Sequence, residues 1–265
     1  MGTELLIGKT LNTNANWLAK RITNLGAKVE RITVIGDDVG EISSVMKNAM
    51  QRNNDFIITL GGLGPTFDDK TLEGIAKALN LKLEINDEAL KMIKKRYRSY
   101  MKEGQMKTFE LTQPRVKMAR LPEAAEPLPN PVGTAPAVLT NCDGKTVISL
   151  PGVPSEMKAI SETTVLPILK KITGGLAFSE KSIVMTGVVE SEMAPIIDEV
   201  MHNYPRVYIK SHPKGAERIP KIELHLSTTA EDPKIAKERV SRALRQLSER
   251  IQKKGGKIRH ARRKI

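Results

Sequence analysis

This 265-residue sequence is short of cysteine, short of aromatic side chains and free of any long apolar run. Its one cysteine, Cys142, excludes an internal disulfide framework. The four histidines, His202, His212, His225 and His260, are scattered and have no Cys or His partner at zinc-ligand spacing, so a structural zinc site is not expected. No segment approaches the roughly 20 apolar residues that cross a bilayer, and no membrane span is expected. The amino terminus lacks a cationic region followed by an apolar one, and Leu6 stands where a myristoylation signal needs Ser or Thr. The expectation is a cytoplasmic protein. Nine aromatic residues, counted over Trp, Tyr and Phe, are few for a protein that stacks unpaired bases.

Acidic residues are also in deficit, 30 against 43 basic ones, for a formal net charge of +13. Such a balance invites a nucleic-acid partner, but the location of the charge argues against one. Seven of the basic residues fall between Lys253 and Ile265 with no acid among them, and Gly255 and Gly256 interrupt the helical pattern before them. Residues 253–265 therefore read as a solvated basic tail, able to hold polyanions weakly through counterion release.

What is present is an alternation of strand and helix signals, which implies an α/β fold with a mostly parallel sheet covered on both faces. Trp17, Leu18, Ile22 and Leu25 recur at helical spacing and Gly26 supplies a stop, so 13–25 reads as a helix. The same reasoning gives a strand at 29–35, a helix at 41–51, a strand at 55–60 and helices at 69–79 and 87–101. Residues 104–136, rich in proline, glycine and polar side chains, read as a long ordered excursion. Strands at 137–140 and 146–150 lead to the Pro151-Gly152 turn and a helix over 155–171. The pattern changes after Thr173-Gly174-Gly175. Beyond it, 182–252 reads β, α, β, β, α, a small α+β domain in which alternation through 221–226 leaves one sheet face open and His225 pointing outward. The expected boundaries are 1–172, 178–252 and the tail 253–265.

The chemistry concentrates at the end of the 55–60 strand, in Leu60-Gly61-Gly62-Leu63-Gly64-Pro65-Thr66-Phe67-Asp68-Asp69. In open α/β sheets ligands bind outside the carboxyl ends of strands, and glycine lets backbone N–H groups approach a phosphate. Thr66 adds a hydroxyl. Asp68 and Asp69 begin the next helical segment, where carboxylates satisfy open N–H groups or, turned to the phosphate, hold a divalent cation. A P-loop is excluded, because Gly8-Lys9-Thr10 lacks its first glycine, the required position being Thr3.

The decapeptide resembles the signature of the CinA family, competence-damage-inducible proteins on a MoaB/MogA-like molybdopterin-binding fold. Three further blocks resemble that family in order: Gly2-Thr3-Glu4-Leu5-Leu6-Ile7-Gly8 with Asn12-Thr13-Asn14, then Asn130-Pro131-Val132-Gly133-Thr134-Ala135-Pro136, then Leu150-Pro151-Gly152-Val153-Pro154-Ser155-Glu156-Met157. The resemblance implies a three-layer sandwich and a homo-oligomer. It also implies metal-dependent hydrolysis of a dinucleotide pyrophosphate such as ADP-ribose. The family's first strand ends at the glycine that is Gly2 here, so a late-assigned start is expected. A carboxy-terminal deamidase-like domain found in relatives has no counterpart before the sequence ends, so deamidation is not expected. On this reading Gly61, Gly62, Gly64, Thr66 and the Gly152 turn cradle phosphate, and Asp68 and Asp69, with Glu156, hold Mg²⁺, Mn²⁺ or Co²⁺. Glu4 serves as general base or metal contact, Asn14, Asn130 and Thr134 bond ribose or base, and Lys210 reaches the pyrophosphate. The alternative is a molybdopterin-binding or adenylyl-transfer protein of molybdenum-cofactor synthesis, which shares the fold and the glycine turn.

Overall fold

The computed structural model describes residues 1–214 and 221–260, which divide into two compact units, residues 1–20 with 30–168 and residues 21–29 with 169–265. The first unit begins with a short helix α1 (Thr3–Leu6) and α2 (Thr13–Asn24), the latter running on into the second unit. It continues through α3 (Val39–Met50), β1 (Phe56–Leu60), α4 (Thr71–Leu79), β2 (Leu83–Ile85), α5 (Asp87–Lys102), α6 (Gln113–Lys117), β3 (Arg120–Pro122) and β4 (Glu126–Leu128). A hairpin of β5 (Ala137–Cys142) and β6 (Lys145–Leu150) precedes α7 (Pro154–Ile160), a π-helical turn at Ser161–Val165, and α8 (Leu166–Ile172).

The central sheet has the order β1-β6-β5-β4. β1 and β6 are parallel, with Leu60 opposite Leu150, whereas β6–β5 and β5–β4 are antiparallel. The sheet is thus mixed rather than mostly parallel, because only two residues separate β5 from β6 and so tight a connection can only make a hairpin. Asp143 and Gly144 supply its left-handed turn. Val147 packs with Met46 of α3 and Ile75 of α4, and Val138 with Ala89 and Ile93 of α5. Register places Val138 opposite Ser149, so these two valines share one face. Ile148 and Leu150 point to the other face and are wholly buried. Both faces are therefore covered, as an α/β sandwich requires.

The expected strand at 29–35 does not form. It has no ladder partner. The chain start occupies the adjoining position instead: the Met1 ammonium donates to the Leu60 carbonyl at 2.6 Å and the Gly2 N–H to the Ile35 carbonyl at 3.0 Å. Burial lowers the pKa of the Met1 ammonium, against the opposing pull of Asp37 and Glu4.

The second unit holds β7 (Ala177–Thr186), α9 (Glu190–Asn203), β8 (Tyr208–Pro213), β9 (Lys221–Ala230), α10 (Pro233–Lys253) and β10 (Lys257–His260). Its antiparallel sheet has the order β10-β7-β9-β8, and a continuous core runs from Ile183, Met185 and Leu224 to Met193 of α9 and Val240 of α10. β10 pairs with β7 from Lys257 to His260, so the expected tail begins as an edge strand. Alternating Ile258 explains why: it packs against the core beside Ile251, a gain that a charge count does not register. Residues 261–265, the rest of that tail, lie outside the described residues. No helix among the described residues is long and apolar enough to cross a membrane.

Candidate functional site

Three loops of the first unit converge at the carboxyl ends of β1 and β6. Gly61 and Gly62 both adopt left-handed backbone, φ +96° and +70°. Space requires glycine as well, since a Cβ on Gly61 would lie 2.7 Å from the Met1 carbonyl oxygen and one on Gly62 2.1 Å from the Thr71 hydroxyl. Thr71, almost wholly buried at the start of α4, fixes the turn by donating its hydroxyl to the Gly61 carbonyl at 2.8 Å and its N–H to the Gly62 carbonyl at 3.2 Å. Gly152 approaches from the β6 side, its Cβ position 3.3 Å from the Gly61 Cα.

The rest of the turn closes on its own acids. The Thr66 N–H donates to Asp69 Oδ2 at 2.8 Å, and the Thr66 hydroxyl lies 2.5 Å from both Asp68 Oδ1 and Asp69 Oδ2. A hydroxyl has one proton, so two carboxylates converge on one small region with a single donor between them. The Thr66 hydrogen bond, followed by the backbone and by the charges of Lys117 and Lys70, holds the exposed Asp68 carboxyl below its ordinary value against a weaker upward pull from burial. Of the two roles open to these acids, capping is not the one seen: neither caps a helix. α4 starts at Thr71 with no side-chain cap, because both carboxylates are occupied by Thr66. The ring of Phe67, 88% exposed, stands at the tip of this turn.

Glu156 belongs to a different loop contact. The Asn130 amide donates to Glu156 Oε2 at 2.7 Å and to the Ala135 carbonyl at 2.8 Å, while Asn130 Oδ1 accepts from the Val132 and Gly133 N–H groups at 3.1 and 2.8 Å. Gly133 leaves room for this, since a Cβ there would fall 2.1 Å from the Glu156 carboxyl. Asn130 thus spends all four hydrogen bonds on Glu156, the Ala135 carbonyl and the N–H groups of Val132 and Gly133. Half-buried Thr134 sits beside it. Among the described residues no three His, Cys, Asp or Glu side chains gather to hold a metal ion, so Glu156 does not complete a triad with Asp68 and Asp69. The pair alone fits a hard cation, which takes one or two carboxylates and completes its shell from phosphate and water.

Asn14 has the opposite character to Asn130. Its amide donates to the Gly152 carbonyl at 2.7 Å, and its Oδ1 is buried without a hydrogen-bond partner among the described residues. Such an acceptor invites a hydroxyl or amine. Glu4 lies in α1, exposed, its carboxylate folded over Gly2, where a Cβ would meet it at 2.3 Å. Lys210 lies in the second unit, exposed on β8 and opposite His225 of β9. Sequence reasoning missed Thr71, Lys117 and Arg96. The Lys117 ammonium bonds the Thr66 carbonyl, and Arg96 bonds the Val132 carbonyl. Thr71, as the first residue of the helix after the glycines, carried a readable signal; the two cations carried none.

A family model described as a probable molybdopterin-binding domain matches residues 1–171, which include every loop of this site. The chain belongs to that family. A protein of Pyrobaculum calidifontis is 46% identical over 255 residues, covering 96% of this chain and 94% of the relative, and one of Aeropyrum pernix is 44% identical over 259 residues, 97% and 94%. Among solved structures, the protein CinA of unknown function from Thermoplasma acidophilum matches with a TM-score of 0.56 at 42% identity, over 63% of this chain and 94% of that one. The molybdopterin-binding domain is thus CinA-like, and its α/β architecture agrees with the sequence-based expectation.

Proposed function

We propose that the protein hydrolyses a dinucleotide pyrophosphate such as ADP-ribose in a reaction that depends on Mg²⁺, Mn²⁺ or Co²⁺. The observation that carries this reading is the convergence of Asp68 and Asp69 on Thr66 at the end of a glycine turn with left-handed backbone at Gly61 and Gly62. The Gly61 N–H is spent on the Leu150 carbonyl at 2.9 Å, so the backbone N–H groups of Gly62 to Gly64 receive one phosphate. A divalent ion between Asp68 and Asp69 would supply Lewis acidity toward the second phosphate. The Thr66 hydrogen bond lowers the Asp68 pKa by stabilising the charged form. Asn14 Oδ1 accepts from a ribose hydroxyl or base amine, and Glu4 acts as the base that orients the attacking water. Glu156 shapes the Asn130 loop. The same reading holds the enzyme to be a cytoplasmic homo-oligomer, which sedimentation tests.

The alternative is molybdopterin binding or adenylyl transfer in molybdenum-cofactor synthesis. It is favoured by the family match across all site loops, and the exposed Phe67 ring suits a flat pterin. The deciding experiment is release of AMP from ADP-ribose by purified protein, with each metal or with chelator, beside an Asp68→Ala, Asp69→Ala double variant. Hydrolysis that needs metal and falls by about 10²-fold or more in the variant supports the pyrophosphatase, that being the loss seen when one preorganised electrostatic stabiliser is removed. Absence of AMP with every metal, from ADP-ribose and from FAD, favours the pterin reading.

A further inference from the structure

We propose that a ladder of stacked rings and guanidinium groups between Arg96 and Lys117 fixes the spacing of the two site loops, making these residues positioning residues for the site. The loops in question are the phosphate turn, 61–69, and the Asn130 loop, 130–135. Neither holds itself in place from the outside.

At one end, Arg96 and the Tyr100 hydroxyl, from successive turns of α5, both donate to the Val132 carbonyl, the latter at 3.1 Å. Val132 lies between Asn130 and Gly133, the residues that frame the Glu156 carboxyl. At the other end, the Lys117 ammonium bonds the carbonyl of Thr66, the residue on which Asp68 and Asp69 converge. Between these ends the contacts are continuous. The Arg96 guanidinium sits 4.7 Å over the Tyr100 ring, and Tyr100 meets Tyr97 edge to face at 6.2 Å. Tyr97 stacks on Phe109 at 5.3 Å and 18°, and Arg115 covers Tyr97 at 4.1 Å and Phe109 at 5.5 Å. Lys117 follows two residues later on α6.

Three features argue that this is more than surface packing. The chain has nine aromatic residues in all, yet three are gathered here. Arg96 Nε is buried without an oxygen or nitrogen partner, an arrangement that the electron-rich face of Tyr100 makes tolerable. Both loop contacts are charge-assisted bonds to backbone carbonyls, which carry no side-chain choice and so serve geometry alone. Phe109 joins α5 to α6 across the loop between them, so the segment 104–112 works as a strap whose length and stacking set how far Thr66 stands from Val132.

The test is hydrogen–deuterium exchange by mass spectrometry on the full chain, with Phe109→Leu and Arg115→Gln beside the parent. Each variant is expected to speed exchange about three- to tenfold in 61–69 and in 130–135 together, the range spanned by a lost ring pair and a lost cation–π contact. Lys117→Met should speed exchange in 61–69 and Lys117→Arg should restore it, since arginine still donates to the Thr66 carbonyl. Faster exchange confined to 96–117, with both loops unchanged, overturns the proposal. Arg115→Gln removes the two ring contacts and the bond to the Glu110 carbonyl at half-buried Arg115 and leaves the apolar core intact, so it reports even where Phe109→Leu fails to fold. A kinetic arm rests on the pyrophosphatase reading: kcat should fall with KM held, because the loops remain present but are misplaced. Parent protein without hydrolysis would sink that reading while leaving the exchange result to decide this one.

Discussion

The two units use polar side chains in opposite ways. In the second unit they satisfy one another across strands: Ser182 and Glu180 of β7 flank His225 of β9 at 3.0 and 3.5 Å, and Lys214 meets Glu223 at 2.7 Å. The Lys214 contact holds the Glu223 carboxyl below its usual range. Outside the Asn130 loop, the polar groups at the first unit's site converge without settling each other. Two carboxylates share one threonine hydroxyl, the buried Asn14 oxygen has no partner among the described residues, and a phenylalanine stands nearly bare between Thr66 and Asp68. A polar residue in the first setting stabilises the fold, whereas in the second it waits for a ligand.

The widest separation should come from the second unit's core. Leu224 is fully buried between α9 and α10, so Leu224→Ala should cost roughly 2–5 kcal/mol in chemical denaturation, by lost transfer energy and an unfilled cavity. The comparison breaks if the same change also disturbs the amides of 61–69 under native conditions. Next in size is Gly62→Ala. Its left-handed backbone alone costs on the order of 1–3 kcal/mol, and the new Cβ would sit 2.1 Å from the Thr71 hydroxyl, forcing the turn open. Gly104→Ala is the control: its φ is +73° but nothing lies within 4 Å, so only the strain should appear. Equal melting temperatures for the two variants would refute the claim that close packing, beyond backbone freedom, demands glycine at the site.

How far the sequence reveals these differences depends on whether neighbours or distant chain segments decide the structure. The alternation through 221–226 emerges as the start of the longer strand β9, and the helix expected at 13–25 as α2, because hydrophobic spacing is local information. The glycine turn was equally legible, and its φ values follow from it. The strand expected at 29–35 was not, since strands need a partner and sequence does not display pairing. The bonds of Asn130 to Ala135, Glu156 and its own loop were not legible, because they bring together residues up to 26 apart. Lys117 reaches Thr66 across 51 residues, a distance at which no motif speaks. The acids at 68 and 69 left two readings open, helix cap or metal ligand; tertiary geometry turns them inward on Thr66 and away from the helix start.

A smaller effect sharpens the electrostatic side. Thr66→Val removes the hydroxyl that most strongly holds down the Asp68 pKa, leaving Lys117 and Lys70 nearby. The Asp68 carboxyl titration, followed by carbon NMR, should therefore move up toward the ordinary carboxylate value. The sign follows from linkage: a depressed folded pKa contributes above the unfolded value and is lost as pH falls through the folded one. Under the pyrophosphatase reading, the acid limb of the rate should rise with it. An unchanged titration would mean that the lysines, not the hydroxyl, hold the charge.

The smallest effect is expected at His225, and it tests the second unit's side of the contrast. The imidazole lies on the open sheet face, with Nδ1 at Ser182 and Nε2 at Glu180, and only α9 and α10 on the opposite face carry the core. A half-exposed pair of this kind contributes about 0–1 kcal/mol, since water competes for the same charges. His225→Ala should accordingly shift the denaturation midpoint slightly and leave AMP release from ADP-ribose unaltered. Loss of more than that would place a function on this sheet face, and the division between a unit whose polar groups are settled and one whose polar groups await a ligand would fail at its most exposed point.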